Sequence, residues 1–422
     1  MRIITISTEC ASVIKNGGIK NMTKKKIVVL GAGYAGLRTV KGLQKKGLDA
    51  EITLINKNSY HYEATQLHEV AAGTEPAKKI SFEIKDVIDE SKVNFIQDEV
   101  TTINHEAQEV SLKEGEKVSY DYLVVALGFE SESFGIPGVD EFGWPLVDIK
   151  TAEAAKAQLD KNLQNYKVSK DPKDLSIVVC GAGFTSIEYL GEISNRLPKL
   201  ADKFDFPMDK VKVTCIEAMP KLLPMFSEKL ASYGIDVLEK RGVEFIVGTP
   251  IKEIKESSVV YEQDGELKEI EASTIIWTTG VRGSSVVGAS GFEERRGRVM
   301  VEPDLTVKGQ PNVFMIGDVS AVMDEASGRP YPTTAQIALV QADYVVEAMA
   351  NKFAGTEPKG FEFKSAGTVA SLGNNDGIGH TMNKDFKGYI ASVMKKGIVD
   401  KSLLQTGTPS VLLKKGRFDF YH

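Results

Sequence analysis

The sequence predicts an α/β protein built around two Rossmann-like dinucleotide-binding units, and three observations carry that prediction. Two stretches, "KIVVLGAGYAGLRTVKGLQ" from Lys26 and "LSIVVCGAGFTSIEYLGEI" from Leu175, each pass from an apolar strand-like run through a glycine-rich turn into a helical pattern. Each is followed by a second strand-like run, "AEITLINK" and "VKVTCIEAMP". Late in the chain, "PNVFMIGDVSA" adds a further apolar run that ends in a Gly-Asp pair.

In the first turn, Gly31-Ala32-Gly33-Tyr34-Ala35-Gly36, each glycine has a separate task. The first permits the tight bend, the second lets backbone approach a pyrophosphate at the helix N-terminus, and the third lets helix pack on strand. The following run ends in Asn56, which can bond a ribose hydroxyl with less selectivity than Asp or Glu. The second turn, Gly181-x-Gly183-x-x-Ser186, carries a serine small enough to keep its helix close. Its partner run ends in Glu217, a carboxylate placed to accept both ribose hydroxyls and to repel a 2′-phosphate, so NADH is favoured over NADPH. "YDYLVVALG", ending at Gly128, and "ASTIIWTTG", ending at Gly280, echo each other as β-runs closing in small-residue turns. Each lies late in its unit, where the chain would leave one domain for another. Asp318 of the Gly-Asp pair can accept a ribityl hydroxyl of a flavin.

Composition narrows the partners. The 422 residues are 42% hydrophobic and 26% charged, as in an ordinary soluble protein. A net charge of −6 argues against nucleic acid. Yet residues 380–422 carry eight Lys or Arg against three Asp, a basic tail on an acidic body that fits an anionic surface such as a membrane face. The three cysteines, Cys10, Cys180 and Cys215, form no C-x-x-C pair, which excludes a disulfide framework and a zinc ribbon. No metal site is expected. The five histidines include no H-E-x-x-H, and His61 and His68 fall at ordinary loop and helix positions. No apolar run approaches the roughly 18 residues of a membrane-spanning helix.

The order of these motifs, from about Lys24 to the C-terminus, resembles the two-dinucleotide-binding flavoprotein reductases. The resemblance implies non-covalent FAD in the first unit and NADH in a second unit inserted into the first. The expected division is a leader at 1–22, the FAD domain at 23–148 and 291–380, the NADH domain at 149–290, and a membrane-associating segment at 381–422. "NKNSYHYEATQLHEVAAGT" holds no cysteine, so electrons must leave the flavin without a protein thiol. This sets the chain apart from disulfide reductases and sulfide:quinone oxidoreductases.

Within that superfamily, "TTAQIALVQ" resembles the A-Q-x-A-x-Q signature of type II NADH:quinone oxidoreductases. Read alone, it is a helix start capped by Thr333 or Thr334, with Ile337, Leu339 and Val340 packing inward. The resemblance adds that the helix end, with its free N–H groups, faces the flavin, and that Ala335 and Gln336 touch it. Gln336 and Ile337 would also line the quinone site, the Gln336 amide donating to a quinone carbonyl. The signature's second glutamine would fall at Val340; Gln341 lies one residue later, about 100° round the helix. By the same match Glu188 lies beside the nicotinamide and is catalytic with Gln336, Asn56 and Lys57 hold the adenosine ribose, and the Val100 backbone, in "VNFIQDEVTTI", contacts adenine. Lys395 and Ile398 stand at the quinone mouth, where Lys395 can bond a quinone oxygen or a flavin carbonyl.

The tail interleaves lysines with Tyr389, Ile390, Val393, Met394, Ile398, Leu403, Leu404, Val411, Leu412 and Leu413, as an interfacial segment does. A packed helix or a homodimer surface would read the same way. The expectation is a peripheral respiratory-chain enzyme on the cytoplasmic membrane face, passing electrons from NADH through FAD to a quinone, menaquinone in the first instance, without pumping protons. Two alternatives are a soluble NADH-dependent flavoprotein reductase of a small protein carrier and a non-enzymatic NADH-binding redox sensor.

The leader has no apolar core of signal-peptide length, and Met22-Thr23-Lys24-Lys25-Lys26 reads as a natural start. Mass spectrometry of natively expressed protein should therefore find its first peptide at Met22 or Thr23. A native peptide containing Cys10 would overturn this.

Overall fold

The computed structural model describes residues 24–373 and 375–418. The expected leader and the end of the tail, 419–422, lie outside the described residues. Four strands, β1 (Lys25–Leu30), β2 (Ala50–Asn56), β3 (Val93–Gln97) and β4 (Tyr122–Val125), form a parallel sheet in the order β4-β1-β2-β3. Helix α1 (Tyr34–Lys46) crosses from β1 to β2. Ile27, Val28, Val29 and Leu30 of β1 are at most 1% exposed. Burial on both faces is why β1 reads as a continuous apolar run and not as an alternating one.

The chain then builds the same unit again. β5 (Ser176–Cys180), α2 (Phe184–Phe204), β6 (Lys212–Glu217), β7 (Val243–Val247) and β8 (Thr274–Trp277) give a second parallel sheet, ordered β8-β5-β6-β7. β9 (Gln310–Met315) returns to the first sheet, parallel beside β4. The second unit is thus inserted between β4 and β9. Two short antiparallel strands, Phe129–Ser131 and Val281–Gly283, pair where the chain passes out and back.

Both units depend on a close backbone approach at the glycine turn. Gly31 has φ +91°, and a Cβ there would sit 2.3 Å from the Ala126 carbonyl oxygen. Gly181 takes the same left-handed conformation at φ +92°, against Thr279. After β9, helix α3 (Ala335–Ala354) packs along α1, with Val346 seated on Gly42. A three-stranded antiparallel sheet, β10 (Thr368–Ser371), β11 (Gly377–Thr381) and β12 (Lys384–Lys387), leads to the tail helices α4 (Tyr389–Thr406) and α5 (Pro409–Lys415).

The tail is divided between core and surface, which corrects its reading as one interfacial face. Val399, Leu403 and Val411 are buried in the same core cluster as α1, β1 and α3. Burial of each such side chain contributes about 1.5–3 kcal/mol. Tyr389, Ile390, Ile398, Leu404, Leu413 and Phe418 are exposed. They lie among the exposed lysines Lys384, Lys387, Lys401 and Lys414.

Gly191 of α2 lets β10 and the turn after it lie on the second unit. A Cβ at Gly191 would stand 2.3 Å from the Leu372 carbonyl carbon and 2.5 Å from its oxygen. Gly191→Ala would gain about 1 kcal/mol of helix propensity. The obstacle is backbone, however, and cannot rotate away, so overpacking should win at about 1–3 kcal/mol or more. We expect a melting temperature lower by several degrees in calorimetry. An unchanged or higher value would refute the close approach.

Candidate active site

The two glycine turns are built alike. The Ala32 N–H donates to Asn56 Oδ1 at 2.9 Å, and the Ala182 N–H donates to Glu217 Oε2 at 2.7 Å. A Cβ on Gly33 or Gly183 would meet nothing within 4 Å, so both central glycines face open space. A backbone cradle at a helix N-terminus, open on that side, fits a dinucleotide pyrophosphate. Ser186, in the third glycine position, places its Oγ 2.8 Å from Thr278 Oγ1 and ties its helix to the end of β8. Glu217 Oε1 also accepts from the Met219 N–H, but a carboxylate keeps further lone pairs. Asn56 spends one of its two amide N–H donors on the Asn58 carbonyl.

The remaining cradle residues fall as follows. Tyr34 places its hydroxyl 3.1 Å from Thr65, and burial, then the Glu63 charge, push its pKa well up. Ala35 lies against Gly317. Lys57 reaches Asp148 at 3.9 Å. Val100 is buried but begins its own antiparallel strand, Val100–Asn104, and not the strand of Val93–Gln97. Asp98 breaks the run by accepting from the Glu99 and Gly115 N–H groups. Gly128 and Gly280 flank the passage between units, where the Gly128 carbonyl accepts from Ser284 and the Gly280 carbonyl from Glu132.

The Gly-Asp turn sits between the first cradle and α3, because Gly317 lies against both Ala35 and Ala338. Gln341 is buried and holds this turn. Its Oε1 accepts from the Gly317 N–H at 2.7 Å and its Nε2 donates to Ser320 Oγ at 3.0 Å. Thr334 caps α3 by accepting from the Ile337 N–H. Ile337 and Leu339 are buried, but Val340 is 38% exposed and does not pack inward. Gln336 Oε1 accepts from the Ala366 N–H at 3.0 Å, which turns its amide donors away from that loop. Burial raises the Asp318 pKa to about 6, and Arg298 opposes the shift.

Glu188 and Lys395 come together. Glu188, on α2, is buried; its Oε1 accepts from Lys395 Nζ at 2.7 Å and from the Ser371 N–H at 3.0 Å. Burial pushes the carboxyl upward, but Lys395 and the Ser371 N–H outweigh it and leave the pKa lowered. His68 Nδ1 lies 3.6 Å from Glu188, and burial brings the His68 pKa down to about 4. Ile398, one turn beyond Lys395 on α4, is 51% exposed. Among the described residues, no group of histidine, cysteine or carboxylate side chains could hold a metal ion.

Three contributors were given no role by the sequence reading: His68, Ser371 and Gln341. His68 and Ser371 act through contacts made far along the chain. Gln341 was one residue out of register with the signature but lies on the side of α3 that meets the Gly-Asp turn.

Residues 25–342 match the family described as pyridine nucleotide-disulphide oxidoreductase. The chain is 46% identical to a type II NADH:quinone oxidoreductase of Staphylococcus haemolyticus over 94% of this chain and 99% of the relative. A Staphylococcus aureus protein of the same name is 45% identical over the same shares. In fold the chain is similar to NDH2 from Plasmodium falciparum in complex with NADH, with TM-score 0.84 over 93% of this chain and 97% of that one at 18% identity. The sulfide:quinone oxidoreductase of Aquifex aeolicus gives TM-score 0.77 over 90% and 91% at 22% identity.

The raised Asp318 pKa makes a pH prediction for cofactor-free protein. A carboxyl raised from an ordinary 3.8 to about 6 is more readily protonated folded than unfolded. Its stabilising effect is complete below the ordinary value and is lost as pH rises through the folded one. Between about pH 4 and pH 6, the melting temperature of Asp318→Asn should therefore rise relative to wild type in thermal scans of apoprotein. Parallel pH profiles would overturn the assignment.

Proposed function

Because this chain belongs to the family of type II NADH:quinone oxidoreductases, we propose that its two cradles act in series on one electron path. The enzyme oxidises NADH and reduces a membrane quinone. The open cradle at Gly33, with Ala32, Tyr34, Ala35 and the adjoining Asp318, holds FAD non-covalently. The matching cradle at Gly183 holds NADH, and Glu217 selects it over NADPH by repelling a 2′-phosphate. When bound, FAD would supply a two-electron carrier between NADH and the quinone, whose reduction to quinol also takes up two protons with solvent as their source.

The chain's own residues do the remaining work. The N-terminus of α3 offers free N–H groups and a partial positive charge to the flavin at Ala335 and Gln336. Gln336, its oxygen already bound by Ala366, presents amide protons to a quinone carbonyl. Glu188 holds the Lys395 ammonium at the quinone side, where it can bond a quinone oxygen or a flavin carbonyl. Asn56, Lys57 and the Val100 backbone hold the adenosine end of FAD, with Gly128 and Gly280 at the passages between units. Ile337 and Ile398 are the apolar contacts of the quinone. The 2.7 Å pair between Glu188 and Lys395 carries this reading, because it joins a helix of the NADH unit to the tail helix.

No helix among the described residues is long and apolar enough to cross a membrane. The exposed apolar side chains of α4 and α5, with their lysine rim, suit a peripheral attachment to an anionic membrane surface. We place that surface on the cytoplasmic face, where NADH is supplied, with menaquinone as the quinone; a homodimer contact is the alternative use of the same tail surface.

Steady-state oxidation by the purified yellow protein tests the proposal. We expect fast turnover of NADH with a short-chain menaquinone analogue and little with NADPH. Gln336→Ala should lower quinone kcat/KM by about 100-fold, as loss of one donor to a developing charge does, and leave bleaching of the flavin by NADH intact. A wild-type flavin that NADH bleaches and quinone fails to reoxidise would overturn the quinone site.

A further inference from the structure

Glu63 is a carboxylate with no exposed side-chain surface, and nothing in the electron path uses it. It lies between the first cradle and the tail helix. Its Oε2 accepts from Ser402 Oγ at 2.8 Å and its Oε1 from Thr406 Oγ1 at 3.4 Å, both on α4. The His61 Nε2 stands 3.4 Å from Oε1, and the other ring nitrogen, Nδ1, is 2.7 Å from the Ala32 carbonyl oxygen. A carbonyl oxygen only accepts, so Nδ1 must carry a proton and donate it. Nε2 makes no hydrogen bond and meets the Glu63 carboxylate only as a 3.4 Å contact, so the ring's orientation is set by the Nδ1 bond to Ala32 and by packing against Glu63.

The consequence reaches the cofactor through peptide geometry. In a trans peptide the carbonyl of residue 32 and the N–H of residue 33 point in opposite directions. Holding the Ala32 oxygen on His61 therefore aims the Gly33 N–H away from His61. Gly33 is the central glycine, and a Cβ on it would meet nothing within 4 Å. The same tail segment is held a second time by α1, the helix that starts at this turn. Lys41 donates to the carbonyls of Gln405 and Gly407, and Arg38 donates to that of Gln405.

We propose that Glu63 is a positioning residue that couples tail helix α4, through His61, to the backbone donors holding the flavin pyrophosphate. The inference rests on the reading of the first cradle as the FAD site. Ser402 and Thr406 fix the carboxylate by hydrogen bonds, the carboxylate backs the imidazole by contact at 3.4 Å, and the imidazole bonds the Ala32 carbonyl of the peptide that leads into the cradle. The tail thus contributes to FAD retention without touching FAD.

The test is FAD release from the full-length holoenzyme, followed after dilution by the rise of free-flavin fluorescence. Removing the two tail hydroxyls in Ser402→Ala/Thr406→Val should speed release by roughly tenfold, the scale of hydrogen bonds to a charged group. Glu63→Gln should do the same. Ser402→Thr/Thr406→Ser, which keeps both hydroxyls, should restore the wild-type rate. Val399→Ala removes core volume from the same helix; it should lower the melting temperature and leave release within about twofold, because it breaks no hydrogen bond in the chain. Release unchanged in the hydroxyl-free variant, or equally fast in Val399→Ala, would overturn the coupling. Wild-type protein that holds no flavin would instead sink the reading of the first cradle.

Discussion

A single constraint recurs through the molecule: backbone must approach backbone more closely than a side chain allows. At Gly31 and Gly181 the glycine turn lies against the end of a neighbouring strand, and Gly36 would place a Cβ 1.9 Å from the Gly31 carbonyl oxygen. Only with helix and strand this close do the first N–H groups of the helix face a common point. Asn56 and Glu217 can then each accept from the residue after the first glycine. The Gly-Asp turn needs its glycine for a different reason: Gly317 takes φ +70°, while a Cβ there would meet Ala35 and Ala338 only at ordinary contact distance.

Charge enters where packing has already closed. Glu188 and Glu63 are both buried carboxylates, yet they are stabilised differently. Glu188 has a lysine at 2.7 Å, and that attraction outweighs the penalty of burial. Breaking such a buried pair costs about 3–5 kcal/mol, because one charge is left alone. Glu63 has hydroxyls and an imidazole around it in place of a lysine. The first arrangement joins the tail to the second glycine-turn unit and the second joins it to the first, so α4 is tied to both halves of the molecule.

Much of this could be read from the sequence, and the reason is locality. The glycine turns, their partner residues Asn56 and Glu217, and the Gly-Asp pair each lie within a few dozen residues and obey rules of strand, turn and helix. Glu63 and Ser402 lie 339 positions apart, and no periodicity links them. Nor could periodicity sort the tail, where residues bound for the core and residues bound for the surface alternate along one helix. Gln341 shows a subtler limit. Matching it to a signature by spacing set it aside, whereas the direction of its side chain, which places it beneath Gly317, gives it a structural task. Val100 was misplaced for a local reason, the strand break made by Asp98.

The division of the tail has a thermodynamic consequence. Val399, Leu403 and Val411 anchor α4 and α5 to the body, so the outward side chains are held in place before anything meets them. A surface segment that must first fold on contact loses much of its binding energy to ordering, and this one does not. Its attachment would then depend chiefly on modest apolar contact and on lysine charges screened over about 8 Å at physiological salt. If the tail meets an anionic membrane, as proposed, it would exchange between bound and free states already folded, and ionic strength would set how long it stays.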